Sequence, residues 1–159
     1  MPNTTHCASV AYQDASVNAV EDEILSRVNG YRASGRSCGS RGNFGKTHAL
    51  KMNAKLRCAA RKHSADMQKR NYFSHTTPAG TTFSKRISNA GYAWSSVGEN
   101  ILWSGGAPPS AKTMVDAWIK SDGHCANIMS SKFTEIGVGI SNQPSAAKHY
   151  ATQDFGKPQ

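Results

Sequence analysis

Apolar side chains recur at Val17, Val20, Ile24, Val28 and Tyr31. These steps of three and four draw one stripe and predict a helix from Ser16 that stops near Gly35. Glu21, Asp22 and Glu23 in its first half and Arg27 and Arg32 in its second suit the helix dipole. A second stripe, Leu56, Ala60, His63 and Met67, predicts a helix capped by Asn53 and ending near Asn71, with His63 turned toward the core side. Phe83, Ile87 and Ala90, with Gly91 behind them, make a short third helix. Ser110 caps a fourth, which carries Met114, Ala117, Trp118 and Ser121 on one side.

The period then changes. Ile136, Val138 and Ile140 alternate with Glu135, Gly137 and Gly139, which predicts a strand with one buried face. A second extended run from His149 to Phe155 completes an antiparallel hairpin, and Val97 to Trp103 is a further strand. Residues 35–49 hold four glycines and no periodicity, so they form a loop around Cys38. Helices first and strands late predict an α+β fold in which helices cover a small antiparallel sheet. A polar, aperiodic arm over residues 1–15, which Cys7 can tie down, precedes a single domain over 16–159.

Charge adds a second layer to this picture. The net charge is +9, and twelve of the nineteen Lys and Arg lie between Arg27 and Arg70, where Asp66 is the only acid. That stretch is expected to be a solvated basic face able to attract anionic lipid or envelope polymer. Nucleic acid is disfavoured, because no aromatic platform or reading motif interleaves the cations. No apolar run reaches the length needed to cross a bilayer. The N-terminus also lacks a signal-peptide pattern and is compatible with a mature chain whose export signal has been removed.

Cys7, Cys38, Cys58 and Cys125 lack the close CxxC spacing of a zinc or redox site. Two structural disulfides, with three pairings open, are the favoured state and imply an oxidising compartment.

Three ionisable residues stand among glycine and apolar neighbours: His75, Glu99 and His124. Burying such groups is costly unless they bond to something, so together they suggest one shared polar site. With His63 and Glu135 as weaker additions, they offer ligands suited to zinc or another divalent cation. For His63 the commoner role is a core histidine bonded to Asp66 or a backbone carbonyl. For His124 the bland alternative is a cation at a helix end. Ser121, Asp122 and His124 bear the names of a triad, but sequence neighbours cannot easily adopt its in-line geometry. Cys125 beside His124 is better explained by a disulfide than as a nucleophile.

Several runs share an order and spacing. They are Ala60 to Met67, Tyr72-Phe73-Ser74-His75-Thr76, Ala90-Gly91-Tyr92, Gly98-Glu99-Asn100-Ile101, Trp118 to Met129, Phe133 to Gly139, and Tyr150 to Gly156. In these runs the chain resembles the CAP superfamily of cysteine-rich secretory, antigen 5 and pathogenesis-related 1 proteins, most closely its bacterial SCP-type domains. The resemblance implies a three-layer α-β-α sandwich and a central cleft with two histidines and two glutamates. His75 matches the first histidine, Glu99 the first glutamate and His124 the second histidine. Ser121 stands where the second glutamate would fall, with Glu135 as a substitute. The resemblance also implies pairing of Cys38 with Cys125, and Cys7 with Cys58 is the preferred complement.

Three functions are consistent with these residues. The first is an exported, non-catalytic monomer, secreted, periplasmic or at the cell surface, that binds a divalent ion, a lipid, a sterol or another small ligand in or beside the His75, Glu99 and His124 cleft. The second is a hydrolase in which a histidine activates water and Glu99 orients it. The third is a basic protein contacting anionic envelope polymers or lipids. The absent second glutamate favours the first.

Overall fold

The computed structural model describes residues 4–11 and 15–159. Its centre is a strand whose two faces serve opposite purposes. In β5 (Glu135–Ile140), Ile136 and Val138 point into the main core, while Gly137 and Gly139 are pressed against a helix backbone. That helix is α3 (Ala54–Arg70), and a Cβ on Gly137 or Gly139 would lie 2.0 Å from Leu56 C or 2.2 Å from Arg61 N. Both faces of β5 are therefore covered. The expectation of one buried face is corrected, because the glycines mark close approach of a helix.

β5 sits inside a four-stranded sheet of order β3-β5-β6-β4, with β3 (Lys51–Met52), β4 (Trp94–Gly105) and β6 (Lys148–Pro158). The β5–β6 pair is antiparallel, as the predicted hairpin requires, and β4 pairs antiparallel with the other edge of β6. β3 joins in parallel and is too short to leave a period in the sequence. On the face away from α3 lie α2 (Ala15–Ser34), α5 (Ala111–Ile119) and α6 (Asp122–Met129). Ile24, Val28, Met114, Trp118, Ile128 and Met129 from these helices pack with Ile136, Val138 and Phe155. On the α3 side, Ile87 of α4 (Phe83–Asn89) and Tyr92 join Leu56 and Ala59. The result is an α+β, three-layer α-β-α sandwich. Asn53 caps α3 through the amides of Lys55 and Leu56, Ser110 caps α5, and Asn71 closes α3 at φ 54°.

Before α2, residues of the expected arm form α1 (Thr4–Cys7) and a single 3-10 turn, held by the Cys7–Cys58 disulfide. The arm's remaining positions, 1–3 and 12–14, lie outside the described residues. A two-residue ribbon of β1 (Arg36–Ser37) and β2 (Asn43–Phe44) crosses the glycine loop, which the Cys38–Cys125 disulfide fixes to α6. Both pairings match the resemblance-based expectation.

Two corrections concern charge. Glu21 and Arg32 are fully buried, so they do more than suit a helix dipole. Arg32 donates to the carbonyls of His48, Ile128, Ser130 and Phe133 at 2.8–3.2 Å, gathering backbone oxygens from loops on both sides of α2. Glu21 accepts from Arg61 at 2.6 Å and from the Ile140 amide at 3.2 Å. Part of the basic run is consequently internal scaffold. A solvated face cannot include Arg32 or Arg61, which are both buried.

Candidate functional site

After Asn71 turns the chain out of α3, the segment over residues 72–76 runs back along the sheet and brings His75 to β4. His75 Nδ1 lies 2.8 Å from Glu99 Oε1. The Glu99 side chain is wholly buried, while that of His75 is 46 % exposed, so the pair spans from core to surface. Arg86 of α4 clamps it from a third direction. Its Nη2 donates to Glu99 Oε1 and to the His75 carbonyl, each at 2.8 Å.

Beneath Glu99, β6 places Asp154 directly opposite in register, fully buried and on the same face. Among the described residues, no N–H group or other hydroxyl donates to either Asp154 oxygen or to Glu99 Oε2. Two ionised carboxylates in that setting would leave three acceptors without a donor, and a proton held on Asp154 supplies one to Glu99. Burial and the Glu99 charge accordingly push the Asp154 carboxyl well above its usual range. Burial alone would raise Glu99 too, but hydrogen bonds from His75, Asp154 and Arg86 and the Arg86 charge outweigh it and hold Glu99 low. The group is thus a carboxylate fixed between a guanidinium, an imidazole and a protonated acid.

With Glu99 ionised, His75 Nδ1 is the donor of their shared bond, which makes Nε2 the ring nitrogen left to ligate a metal. His124 approaches from the other face of the sheet, beside β4, which is an edge strand. Its α6 is tied to β4 by side-chain amides. Asn127 donates to the Glu99 carbonyl at 3.2 Å and to Asn100 Oδ1 at 2.9 Å, and Asn100 donates to the His124 carbonyl at 3.1 Å and Gln153 Oε1 at 3.0 Å. Burial and the nearby His75 lower the pKa of His124, favouring its neutral, ligating form.

Other candidates are placed elsewhere. His63 is a buried core histidine whose Nε2 sits 2.8 Å from the Ser74 carbonyl, and burial followed by the Arg86 charge brings its pKa down to about 4. Glu135 is committed to Tyr92 Oη at 2.8 Å and Asn53 Nδ2 at 3.1 Å. Asp122 accepts from the Ser40 amide and hydroxyl at 3.0 and 2.7 Å, so the Ser121, Asp122 and His124 neighbours build no triad. His124 is the third residue of α6, near a helix N-terminus, and the idea of a cation at a helix C-terminus is corrected. That helix leaves little signal in the sequence, because Gly123 interrupts it and it spans only eight residues.

Arg86, Asp154, Asn100, Asn127 and Gln153 were not evident as site residues from the sequence. Asp154 had one available signal: it is an acid inside an extended run otherwise rich in apolar and small residues. Arg86 had none, since a basic residue in a short polar helix is ordinary.

The CAP family model, described as the cysteine-rich secretory protein family, matches residues 25–155. The chain belongs to this family. It is 36 % identical over 90 residues to the uncharacterized protein YkwD of Bacillus subtilis, a match covering 57 % of this chain and 34 % of YkwD. The chain therefore spans only about a third of that curated relative. Among solved structures, an extracellular SCP-domain protein of Bacillus anthracis superposes with a TM-score of 0.66 at 24 % identity, over 92 % of this chain and 44 % of the other. The crystal structure of NaASP2 with Zn2+ gives a TM-score of 0.60 at 15 % identity, covering 87 % of this chain and 83 % of that one. At these identities the structural likenesses establish the fold.

Proposed function

We propose that this CAP domain acts outside the cytoplasm as a non-catalytic binding module, taking a divalent cation between His75 and His124. The carrying observation is the buried Glu99 carboxylate on His75 Nδ1, which orients the ring and leaves Nε2 available, the arrangement that supports metal-bound imidazoles. Two imidazole nitrogens fit a zinc-like ion as partial ligands. Among the described residues no trio of His, Cys, Asp or Glu is placed to hold a metal, so water or a ligand group would complete the coordination and affinity would be modest. The Zn2+ of the NaASP2 structure supports the choice of ion.

A non-catalytic role is favoured by the commitments around the pair. Glu99 Oε1 is engaged by His75 and Arg86, its Oε2 is buried away from solvent, and all four cysteines are in disulfides. For an apolar ligand, such as a lipid chain or sterol, support comes from a pocket of about 190 Å³ lined by Val17, Val20, Leu102, Met114, Pro109 and Ile140. An exported location is supported by two disulfides and by the extracellular Bacillus anthracis structure. No described helix is long and apolar enough to cross a membrane.

Calorimetric titration with zinc tests the cation site. Binding should be present in the parent chain and lost in both His75→Ala and His124→Ala. Equal heats in all three proteins would end the proposal.

A further inference from the structure

A second pocket, of about 580 Å³, lies between α3, the arm around Ser9 and Val10, and the segment over residues 77–86, with Arg86 on its wall. Lys62, Lys69 and Arg70 stand around it and His63 and Arg86 line it as well. The sole acid among its lining residues, Asp66, is already bonded to Arg70 at 2.9 Å and to Tyr72. Among the described residues neither Lys62 nor Lys69 has a carboxylate partner, and the Lys62 ammonium rests on the His6 carbonyl at 2.9 Å. The pocket therefore carries uncompensated positive charge.

Its buried polar atoms specify more than charge. Arg86 spends Nη2 on Glu99 and His75, yet its Nε and Nη1 have no acceptor among the described residues, and its side chain is 10 % exposed. His63, 1 % exposed, donates Nε2–H to Ser74, so its Nδ1 is an acceptor with no donor among the described residues. Leaving such groups buried and unmatched is unfavourable, and a suitable ligand removes that cost. The missing partner must accept from a guanidinium, offer an O–H to an imidazole nitrogen, and carry negative charge toward two ammonium groups.

We propose that this pocket binds a phosphate group that retains one hydroxyl, seated between Arg86 and His63 with Lys62 and Lys69 at its rim. A carboxylate or sulfate lacks the O–H that His63 Nδ1 requires. The His63 ring remains neutral well below pH 7, as its acceptor role demands. This site is separate from the cation site, since neither His75 nor His124 lines the pocket.

The test is an NMR titration of the full isotope-labelled chain at constant ionic strength and pH 6.5, with inorganic phosphate and with sulfate. Saturable shifts at the His63 ring and Arg86 Nε are expected, with phosphate preferred over sulfate and affinity reduced roughly tenfold in Lys62→Ala/Lys69→Ala. Thr81→Trp, which fills the pocket from an outer wall, should abolish the shifts. Zinc binding should be unchanged in the double lysine variant, which separates failure here from failure of the cation site. Vesicles containing phosphatidic acid distinguish the source: binding that competes with free phosphate identifies a lipid headgroup, and phosphate binding without vesicle binding identifies a soluble ligand. Linear shifts scattered over the basic surface, equal response to sulfate, or no effect of the lysine changes would overturn the proposal.

Discussion

Among single residues, several charges are held where water cannot reach them. Glu99 is the sharpest case, because its charge neutralises the nearly buried Arg86 while Asp154 contributes a proton instead of a second charge. Glu99→Gln should therefore cost about 3 kcal/mol in denaturant unfolding, since it strands the Arg86 charge. Asp154→Asn keeps a donor toward Glu99 and should cost roughly 1 kcal/mol or less at pH 7. Equal losses in the two variants would show that Asp154 is ionised.

His63 makes a pH prediction with a definite sign. Its folded pKa of about 4 is below the ordinary 6.5, so the folded state favours the neutral ring. The associated stability is fully present above pH 6.5 and is lost as the pH falls from there through 4. Unfolding followed at pH 7 and pH 4.5 should show a decline of about 2 kcal/mol attributable to this ring. In His63→Gln that part of the decline should vanish, and an unaltered pH profile would refute it.

Between elements, the packing of α3 on β5 depends on the absence of side chains. Gly137→Ala would place a methyl 2.0 Å from the Leu56 backbone, and Gly139→Ala would place one 2.2 Å from that of Arg61. Backbone cannot yield as a flexible side chain does, so each substitution should destabilise by about 3 kcal/mol or more. By contrast, Gly42→Ala meets no atom within 4 Å and is strained only by its φ of 87°, so it should cost less, about 1 kcal/mol. Thermal melts of the three variants should rank accordingly.

Local pattern in the chain is expressed most directly at the level of elements. The α2, α3 and α5 stripes follow from periodicity, because each buries one continuous apolar face, the Asn53 and Ser110 caps follow from side chains that accept from first-turn amides, and the β5–β6 pairing follows from period-two alternation. β3 and α6 did not emerge. A two-residue parallel strand has no period, and an eight-residue helix is stabilised by Asn127, Cys125 and its core contacts more than by its own propensity.

Across the whole molecule, two disulfides join distant segments: Cys7–Cys58 secures the arm to α3, and Cys38–Cys125 secures the glycine loop to α6. The second closes the longer separation, 87 residues against 51, and it anchors the helix that carries His124. Replacing Cys38 and Cys125 by alanine should cost about 2–5 kcal/mol and weaken zinc binding along with stability. Replacing Cys7 and Cys58 should lower the melting temperature while leaving the His124 resonance in place. Reversal of these two outcomes would remove α6 anchoring as a support of the cation site. The basic run behaves in the same long-range way. Charge counted along the chain suggests a surface, but folding withdraws Arg32 and Arg61 into the interior and gathers Lys62, Lys69 and Arg70 around one pocket with Arg86 from outside the run.

The α+β class, the main helices and strands, and the three polar residues His75, Glu99 and His124 could all be read from the chain before it was folded. They rest on local periodicity and on the rarity of charged groups among apolar neighbours, both of which are properties of consecutive residues. The folded arrangement was needed to establish that Glu99 is shared by His75, Arg86 and Asp154, that His63 and Glu135 serve other partners, and that a second cationic pocket adjoins the first site. The physical reason is that hydrogen bonds and charge pairing depend on distances across strands and layers: Glu99 and Asp154, far apart along the chain, stand directly opposite each other in the sheet.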